Sequence, residues 1–286
     1  MYINQEIKSD KEYFAIKALS ASSIKQYDKS KYEFWKDSCF NPEKRKQKDK
    51  DAFAFGSLCH CLLLEPEKLD EYFEVKDWGT KTRTSEKYKA LRNKLDLDGF
   101  EDKKIVNNDE FNKAKKMIDT LMQNKDVARI MNGATAEMPI LWQDDETGLL
   151  MKCKPDAVKR VKQGIIVIDY KTSCDVDGLL KWPEKLNYPL QDATYREGIK
   201  QKYGEYPIEF IFIIQSSNDE EEDLIAIAST EYETMDCAKS MFEFYKNKIA
   251  EEIKYFNETG DKSIFNPYRE KCEFRYSSWY LTRGGN

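Results

Sequence analysis

Several signals that would place this chain in a special class are weak or missing. Glycine (12 residues) and proline (8 residues) are too scarce for a fibrous or low-complexity protein, and no repeat or Pro/Gly/Ser-rich linker divides the chain. No uncharged apolar run reaches the length of about 18 residues that a membrane helix needs. Because residues 1–14 also lack the apolar core of a signal peptide, we expect a cytoplasmic protein with no membrane partner.

Cysteine forms no informative pattern either. The seven cysteines are an odd number at irregular spacing, and no CxxC pair occurs. This favours reduced thiols over a disulfide framework, and it argues against a zinc or iron–sulfur centre. We interpret the cysteines as small packing residues.

Neither sign of charge dominates. The 47 basic and 52 acidic residues give a net charge of −5, which excludes a uniformly basic surface for passive nucleic-acid binding. The charges are nevertheless segregated, with basic residues concentrated in 44–50 and 76–94 and acidic residues in 96–110 and 218–223. Such segregation fits a protein that touches a polyanion on one side, and it also fits ordinary solvated helix faces.

The residues for a hydrophobic core are ample, with 40% hydrophobic and 13% aromatic content. Helical spacing predicts helices over 19–36, over 51–73 with a break at Pro66, from Asn107 onward with Glu110 as capping partner, over 189–202 and over 232–256, the last followed by an aromatic tail at 274–281. Strand patterns occupy 137–142, 148–158, 164–173, 208–215 and 224–230.

This order of elements predicts an α/β fold in which helices flank a central mixed β-sheet. We expect a single domain over 1–286. It would consist of a mainly helical N-terminal part (1–135), a sheet core (136–230) and a C-terminal helix with its tail (231–286).

Two short motifs are the most informative part of the chain, PDA at 155–157 and DYK at 169–171. Residues two apart in a strand share a face, so Asp169 and Lys171 should project together from the end of an apolar strand. Charged side chains are costly there unless they have a function or a partner. Asp156 lies at the end of the neighbouring predicted strand and is expected to converge on the same point.

Two carboxylates that approach each other repel, and a divalent cation relieves that repulsion. Oxygen ligands with incomplete coordination suit Mg²⁺ or Mn²⁺. Phosphodiester hydrolysis needs such a metal and also a cation that positions the nucleophile or stabilises the pentacovalent charge, a role that Lys171 fits. The alternative is a structural ion pair between Asp169 and Lys171 at the rim of a sheet, which spacing alone does not exclude.

Two further elements bear on this choice. His60 is the single histidine of the chain, and it lies in a predicted apolar helix with Gly56 one turn before it. It is interpreted either as a core residue or as a metal ligand, since neutral imidazole is the commonest nitrogen ligand. Gln191 and Tyr195 are four residues apart and share a helix face, from which they could bind a phosphate, contact the lysine or simply pack.

A set of motifs in a fixed order resembles the RecB-like branch of the PD-(D/E)xK nucleases. The set consists of GxxxH at 56–60, the strand-borne Glu137, PDA, DYK, and QxxxY at 191–195. Within that branch the chain is most similar to the phage recombination exonucleases related to RecE and to phage lambda exonuclease. The segment 137–158 resembles a strand pair of those enzymes, LSAS at 19–22 resembles their phosphate-contacting segment, and the resemblance covers about residues 19–215.

The resemblance implies a metal centre. Asp156 and Asp169 would be metal ligands, and the main-chain carbonyl of Tyr170 would complete one site. His60 stands where lambda exonuclease has a glutamate, so it would be a ligand on the second-metal side.

The resemblance also implies contacts with substrate. Lys171 would be catalytic and would orient or activate the attacking water. Gln191 and Tyr195 would support the DNA phosphate and the lysine. Ser20 or Ser22 would contact the strand to be cut.

Two departures from the family pattern matter. The middle acid is Asp169 rather than the commoner glutamate, which shortens its reach by one methylene group. The iron–sulfur cysteines of some RecB-like relatives are absent, since only Cys272 lies near the C-terminus. We therefore expect Mg²⁺ as cofactor, with Mn²⁺ as a substitute, and no iron–sulfur cluster.

The implied function is a Mg²⁺-dependent exonuclease that degrades linear double-stranded DNA from its ends, 5′ to 3′, and leaves single-stranded DNA for annealing-type recombination. The implied partners are a RecT- or beta-like single-strand annealing protein and further copies of the chain in a ring-shaped homo-oligomer. The gene would belong to a phage or prophage in a bacterial host. Two alternatives stay open, a non-catalytic module that binds DNA ends and a structure-specific or restriction-type endonuclease of the same fold.

Overall fold

A computed structural model describes residues 1–5, 7, 9–45, 53–80, 82–136, 138–221 and 223–266. The N-terminal part contains α1 (Asp10–Ala15), β1 (Leu19–Ser20), α2 (Ala21–Lys29), α3 (Lys31–Asp37), α4 (Ala54–Leu64), α5 (Leu69–Tyr72), β2 (Phe73–Val75), α6 (Glu86–Leu97), β3 (Lys104–Val106), α7 (Asn108–Gln123) and α8 (Lys125–Met131). The remainder contains β4 (Thr135–Ala136), β5 (Ile140–Gln143), β6 (Leu150–Cys153), β7 (Ala157–Val161), β8 (Gly164–Ser173), α9 (Val176–Lys181), α10 (Tyr188–Tyr203), β9 (Glu209–Ser216), β10 (Ile225–Ala228) and α11 (Tyr232–Thr259). Among the described residues, no helix is both long and apolar enough to cross a membrane.

Capping residues set several helix boundaries. The Asn107 side chain accepts the N–H of Glu110 at 2.7 Å, and a Glu110 carboxylate oxygen accepts the Asn107 N–H at 2.9 Å. This capping box confirms the predicted start of α7. The single helix predicted over 19–36 is wrong, because Ser30 adopts an extended backbone and its Oγ accepts the Glu33 N–H at 3.3 Å, which starts α3 afresh.

The central sheet has the strand order β10-β9-β8-β7-β4. β8 and β9 run parallel, and each of the other neighbouring pairs is antiparallel. The predicted central mixed sheet is therefore confirmed. β8 lies in the middle, as expected from its near-continuous apolar sequence.

Alternation along β8 divides the core into two layers. Ile168 and Tyr170 pack in one cluster with residues of α4 and α7. Val167 packs on the opposite face with residues of α10 and α11. Asp169 has the same parity as Val167, so the strand turns Asp169 toward α10.

The strand predicted over 148–158 is wrong as a single element. β6 ends at Cys153 and β7 begins at Ala157, and the two belong to different sheets. β6 pairs with β5 and β1, whereas β7 pairs with β8 and β4. Pro155 lies in the break, where it cannot donate a ladder hydrogen bond and restricts the residue before it.

A further small sheet was not predicted. β2 and β3 form a parallel two-stranded ladder within the N-terminal part. The prediction failed because three-residue strands show no alternation long enough to recognise.

The long helix α11 is anchored by a buried lysine. Lys246 is 3% exposed, and its Nζ lies 2.9 Å from Asp144 Oδ2 and 2.6 Å from Glu243 Oε2. Asp144 follows β5, so this pairing joins α11 to the three-stranded sheet of β1, β6 and β5. The predicted tail at 274–281 and Cys272 lie outside the described residues.

The first prediction concerns the close packing of α10 on the three-stranded sheet of β1, β6 and β5. A Cβ on Gly198 would lie 2.5 Å from Cys153 Sγ and 3.1 Å from Trp142 Cζ3. Gly198→Ala should lower the free energy of unfolding by about 1–2 kcal/mol, because the overlap outweighs the better helix propensity of alanine. Urea denaturation followed by circular dichroism measures the change.

Gly56→Ala is the matched control. A Cβ on this second helical glycine would meet only Thr172 Oγ1, at an ordinary contact distance of 3.5 Å. Its stability should equal or exceed that of the wild type. Equal stability of the two variants would contradict the packing argument.

Candidate active site

The candidate site lies where β7 stops pairing with β8. Their ladder ends at Ala157 opposite Ile168, while β8 continues to Ser173 along β9. Asp156 lies directly before β7, and its Oδ2 accepts the N–H of Tyr170 at 2.7 Å. A carboxylate thus takes the hydrogen bond that a ladder partner would otherwise have taken.

The main-chain N–H and C=O of Tyr170 point to the same edge of β8. The carbonyls of Ile165 and Ser173 accept hydrogen bonds from the β9 side, so odd-numbered residues of β8 direct their main chain to β9. The N–H and C=O of one strand residue point to the same edge, and the Tyr170 carbonyl therefore faces the Asp156 side. The Tyr170 hydroxyl points away, beneath α4 and α7, and donates to Gln215 Oε1 at 2.7 Å.

Asp169 and Lys171 share the other face of β8, as predicted. Asp169 is 1% exposed and its Oδ2 forms an ion pair with Lys171 Nζ. Burial raises the pKa of Asp169, and repulsion from Asp156 adds to the increase although Lys171 opposes it. Burial likewise raises the pKa of Asp156. Burial disfavours the charge on Lys171, but the two aspartates outweigh it and raise the lysine pKa.

Gln191 of α10 completes the surroundings of Asp169. The amide is 5% exposed, and its Nε2 donates to Asp169 Oδ1 at 2.8 Å. Its Oε1 accepts a hydrogen bond from Lys25 Nζ at 3.0 Å. Both ends of the amide are therefore engaged, and Gln191 contacts the carboxylate rather than Lys171.

Lys25 and Tyr188 are site residues that sequence reasoning missed. The Nζ atoms of Lys25 and Lys171 lie 5.5 Å and 5.6 Å from the centroid of the Tyr188 ring. That ring stacks on Phe212 of β9 at 5.4 Å. No local pattern distinguishes Lys25 from other helix lysines. Tyr188 could have been predicted, because it lies one turn before the candidate residue Gln191.

His60 approaches from α4. Its Nδ1 lies 3.4 Å from Asp156 Oδ2, and its ring centroid lies 5.2 Å from that of Tyr170. Burial lowers the pKa of His60 to about 4, and the charge on Lys171 adds to this effect. The imidazole is therefore neutral near pH 7, the form that can bind a metal.

Tyr195 lies one turn beyond Gln191 and is half-buried. Its ring packs near Phe210, with centroids 6.0 Å apart. Burial, followed by the charge on Asp169, raises the pKa of the Tyr195 hydroxyl well above its usual value. The hydroxyl is therefore a neutral donor near the carboxylates.

The serines lie at the start of α2. Ser20 caps this helix by accepting the Ser23 N–H at 3.3 Å, and its Oγ lies 2.9 Å from Ser22 Oγ. Ser20 thus has a structural task of its own, while Ser22 is exposed. The predicted strand residue Glu137 lies outside the described residues.

The donor set suits a divalent metal without forming a complete cage. In the part of the chain that the structure describes, no cluster of three or more His, Cys, Asp or Glu side chains is arranged to hold an ion. Asp156 nonetheless raises the pKa of Asp169 by repulsion, which a cation would relieve. Mg²⁺ accepts few protein ligands because it retains several waters. The residues that could hold it are these two aspartates and the Tyr170 carbonyl, with His60 beside them.

A family comparison covers the whole of this site. The model of a PDDEXK-like domain of unknown function (DUF3799) matches residues 20–277. No protein with a curated description matches the sequence.

Solved structures provide a second comparison. A crystal structure of a candidate exonuclease from Eubacterium rectale is similar over 98% of this chain and 100% of that chain, with a TM-score of 0.55 and 16% identity. At this identity the likeness shows the fold alone, and together with the family match it confirms the predicted nuclease fold. The structure of SSO0001 is 18% identical over 56% of this chain and 67% of that chain, and its TM-score of 0.30 is too low to carry an argument.

Metal binding gives the second prediction. If Asp156 and Asp169 hold one divalent ion, Mg²⁺ or Mn²⁺ at one hundred times its Kd should stabilise the wild type by about 2.7 kcal/mol. Asp156→Asn and Asp169→Asn should each lose most of this effect, because each removes an anionic ligand. Thermal unfolding with and without EDTA measures the shift.

Asp177→Asn serves as the control, since Asp177 is an exposed carboxylate of α9 outside the site. This variant should keep the full metal-induced shift. A normal shift in Asp169→Asn would show that the carboxylates do not share an ion.

Proposed function

Because the chain belongs to the PDDEXK-like family DUF3799, we propose that it is a metal-dependent deoxyribonuclease that degrades linear double-stranded DNA from its ends. The observation that carries this proposal is the convergence of Asp156, Asp169 and Lys171 at the edge of β8 that β7 leaves open. Two carboxylates that can hold a divalent metal, with an ammonium that can stabilise developing negative charge, suit phosphodiester hydrolysis.

Asp156, Asp169 and the Tyr170 carbonyl would hold Mg²⁺, or Mn²⁺ in its place. Such an ion, when bound, supplies a Lewis acid and lowers the pKa of water. The Tyr170 N–H orients Asp156, and the Gln191 amide orients Asp169, before substrate arrives. Groups that orient ligands in this way reduce the reorganisation needed during the reaction.

Lys171 would contribute a fixed positive charge. Against the effect of burial, the two aspartates raise the pKa of Lys171, which favours the protonated ammonium, and the lysine would therefore serve as a hydrogen-bond donor. In this proposal it positions the attacking water and stabilises the negative charge that develops on the phosphate. Tyr195 and Ser22 would contact the same strand, as the motif resemblance implies.

The detailed features of this proposal do not all rest on the same observations. Exonuclease action is supported by the motif resemblance and by the fold shared with the candidate exonuclease from Eubacterium rectale. The 5′-to-3′ direction, the recombination role, the RecT- or beta-like partner and the phage or prophage origin rest on the resemblance. A ring-shaped homo-oligomer in the cytoplasm would let a chain of net charge −5 line a central channel with its basic side chains.

The third prediction separates the competing functions. With Mg²⁺, the protein should degrade linear duplex DNA and leave covalently closed circles intact, because only the linear molecule has ends. Release of label from 5′-labelled before 3′-labelled duplex would give the direction. Cleavage of circles would favour an endonuclease, and binding of ends without cleavage would favour a non-catalytic module.

Lys171→Met tests whether the activity arises at this site. It should remove turnover while the Mg²⁺-induced thermal shift remains, because the lysine acts on water and phosphate and not on the ion. Lys162→Met, in the exposed turn between β7 and β8, should keep wild-type activity. Loss of the metal shift in Lys171→Met would show that the lysine is a structural partner of Asp169.

The fourth prediction concerns His60. His60→Leu should lower the rate at least about tenfold with little loss of stability, since the side chain is 27% exposed and lies beside Asp156. His60→Glu should recover part of the rate, because it restores an anionic oxygen ligand. Turnover and thermal unfolding are measured for both variants. Wild-type turnover in His60→Leu would assign His60 to packing and leave a one-metal site.

A further inference from the structure

Two ammonium groups from distant parts of the chain meet over one aromatic ring. Lys25 comes from α2 and Lys171 from β8, and each lies within 5.6 Å of the centroid of Tyr188. A tyrosine face attracts one cation, but two cations on the same ring repel each other. The fold therefore brings together like charges that a bound anion would stabilise.

Lys25 differs from Lys246 and Lys31 in having no carboxylate partner in the described part of the chain. It also differs from the buried Lys152, whose Nζ donates to the main-chain carbonyls of Tyr13 and Ile16. Lys246 is paired with Asp144 and Glu243, and Lys31 is paired with Glu252. Lys25 has one hydrogen bond, to the neutral Oε1 of Gln191, and no ion pair with any carboxylate among the described residues. Burial lowers its pKa to about 8, and the charge on Lys171 contributes to the decrease.

The charges of the site indicate what kind of partner Lys25 would bind. The charges of Lys25 and Lys171 offset those of Asp156 and Asp169. A divalent ion on the two aspartates would leave the site with an excess of positive charge. Lys171 has an ion pair with Asp169, whereas Lys25 has only its hydrogen bond to Gln191, so Lys25 is the ammonium available to an added anion.

We propose that Lys25 is a substrate-binding residue whose ammonium contacts a phosphate oxygen of the nucleic-acid strand held at Asp156 and Asp169. This assignment rests on the nuclease function proposed above. The 3.0 Å hydrogen bond to Gln191 holds the ammonium at the site before the strand arrives. Since the same amide donates to Asp169, the strand-binding and metal-binding sides of the site share one side chain.

The test is the salt dependence of DNA binding. A short fluorescein-labelled duplex is titrated with protein at several KCl concentrations, with Ca²⁺ in place of Mg²⁺ to slow turnover. Lys25→Gln should weaken binding about tenfold, because one charge-assisted hydrogen bond is lost. It should also reduce the slope of log K against log salt by about 0.9, the value for one lost phosphate contact. Lys25→Arg should restore the slope.

Two controls separate this role from a purely structural one. Lys248→Gln removes a lysine of α11 that is 46% exposed, and it should leave both affinity and slope unchanged. Lys25→Gln should also keep the Mg²⁺-induced thermal shift, which would be lost if Lys25 acted only by holding Gln191 against Asp169.

An unchanged slope in Lys25→Gln, with wild-type protein that binds and cuts DNA, would overturn the assignment and leave the nuclease function intact. Failure of the wild type to bind or cut DNA would overturn the proposed function, and with it this assignment.

Discussion

The rest of the site depends on two carboxylates at one open edge of a sheet, the buried Asp169 and the mostly buried Asp156. Burial raises the pKa of both Asp156 and Asp169, and repulsion from Asp156 adds to the increase at Asp169. The chain offsets part of this with a main-chain N–H for Asp156 and with Lys171 and Gln191 for Asp169. Some repulsion remains between the two carboxylates, and a bound cation would remove it.

The break at Pro155 creates the open edge. Had the chain continued as one strand from β6 into β7, Asp156 would lie within a ladder and its carboxylate could not reach the main chain of Tyr170. Instead β6 joins the small sheet with β5 and β1, and β7 starts one residue after Asp156. The separation into two sheets therefore positions the first acid, while the longer β8 positions the second.

The opposite wall of the site depends on contacts among helices. Asn187, directly before α10, has a left-handed backbone with φ of 47° and donates to Asp28 of α2 at 2.8 Å. The Tyr245 hydroxyl of α11 donates to the same carboxylate. These bonds fix α2 against α10, so that Lys25 and Gln191 meet beside Asp169. Asparagine tolerates this backbone conformation better than most residues, which suits it to the turn.

The sequence by itself determined the features that depend on local spacing. The two-residue period placed Asp169 and Lys171 on one face, and the Asn107 cap predicted the start of α7. The ordered motifs predicted the nuclease fold through the family resemblance that they carry. Only the tertiary structure decided that Lys25 belongs to the site, that Gln191 binds Asp169, and that the segment 148–158 is divided between two sheets. Lys25 and Gln191 are separated by 166 positions in the chain, and their contact follows from the packing of α2 on α10. Local periodicity and capping act over a few residues, whereas such contacts depend on how whole elements pack, which no short pattern encodes.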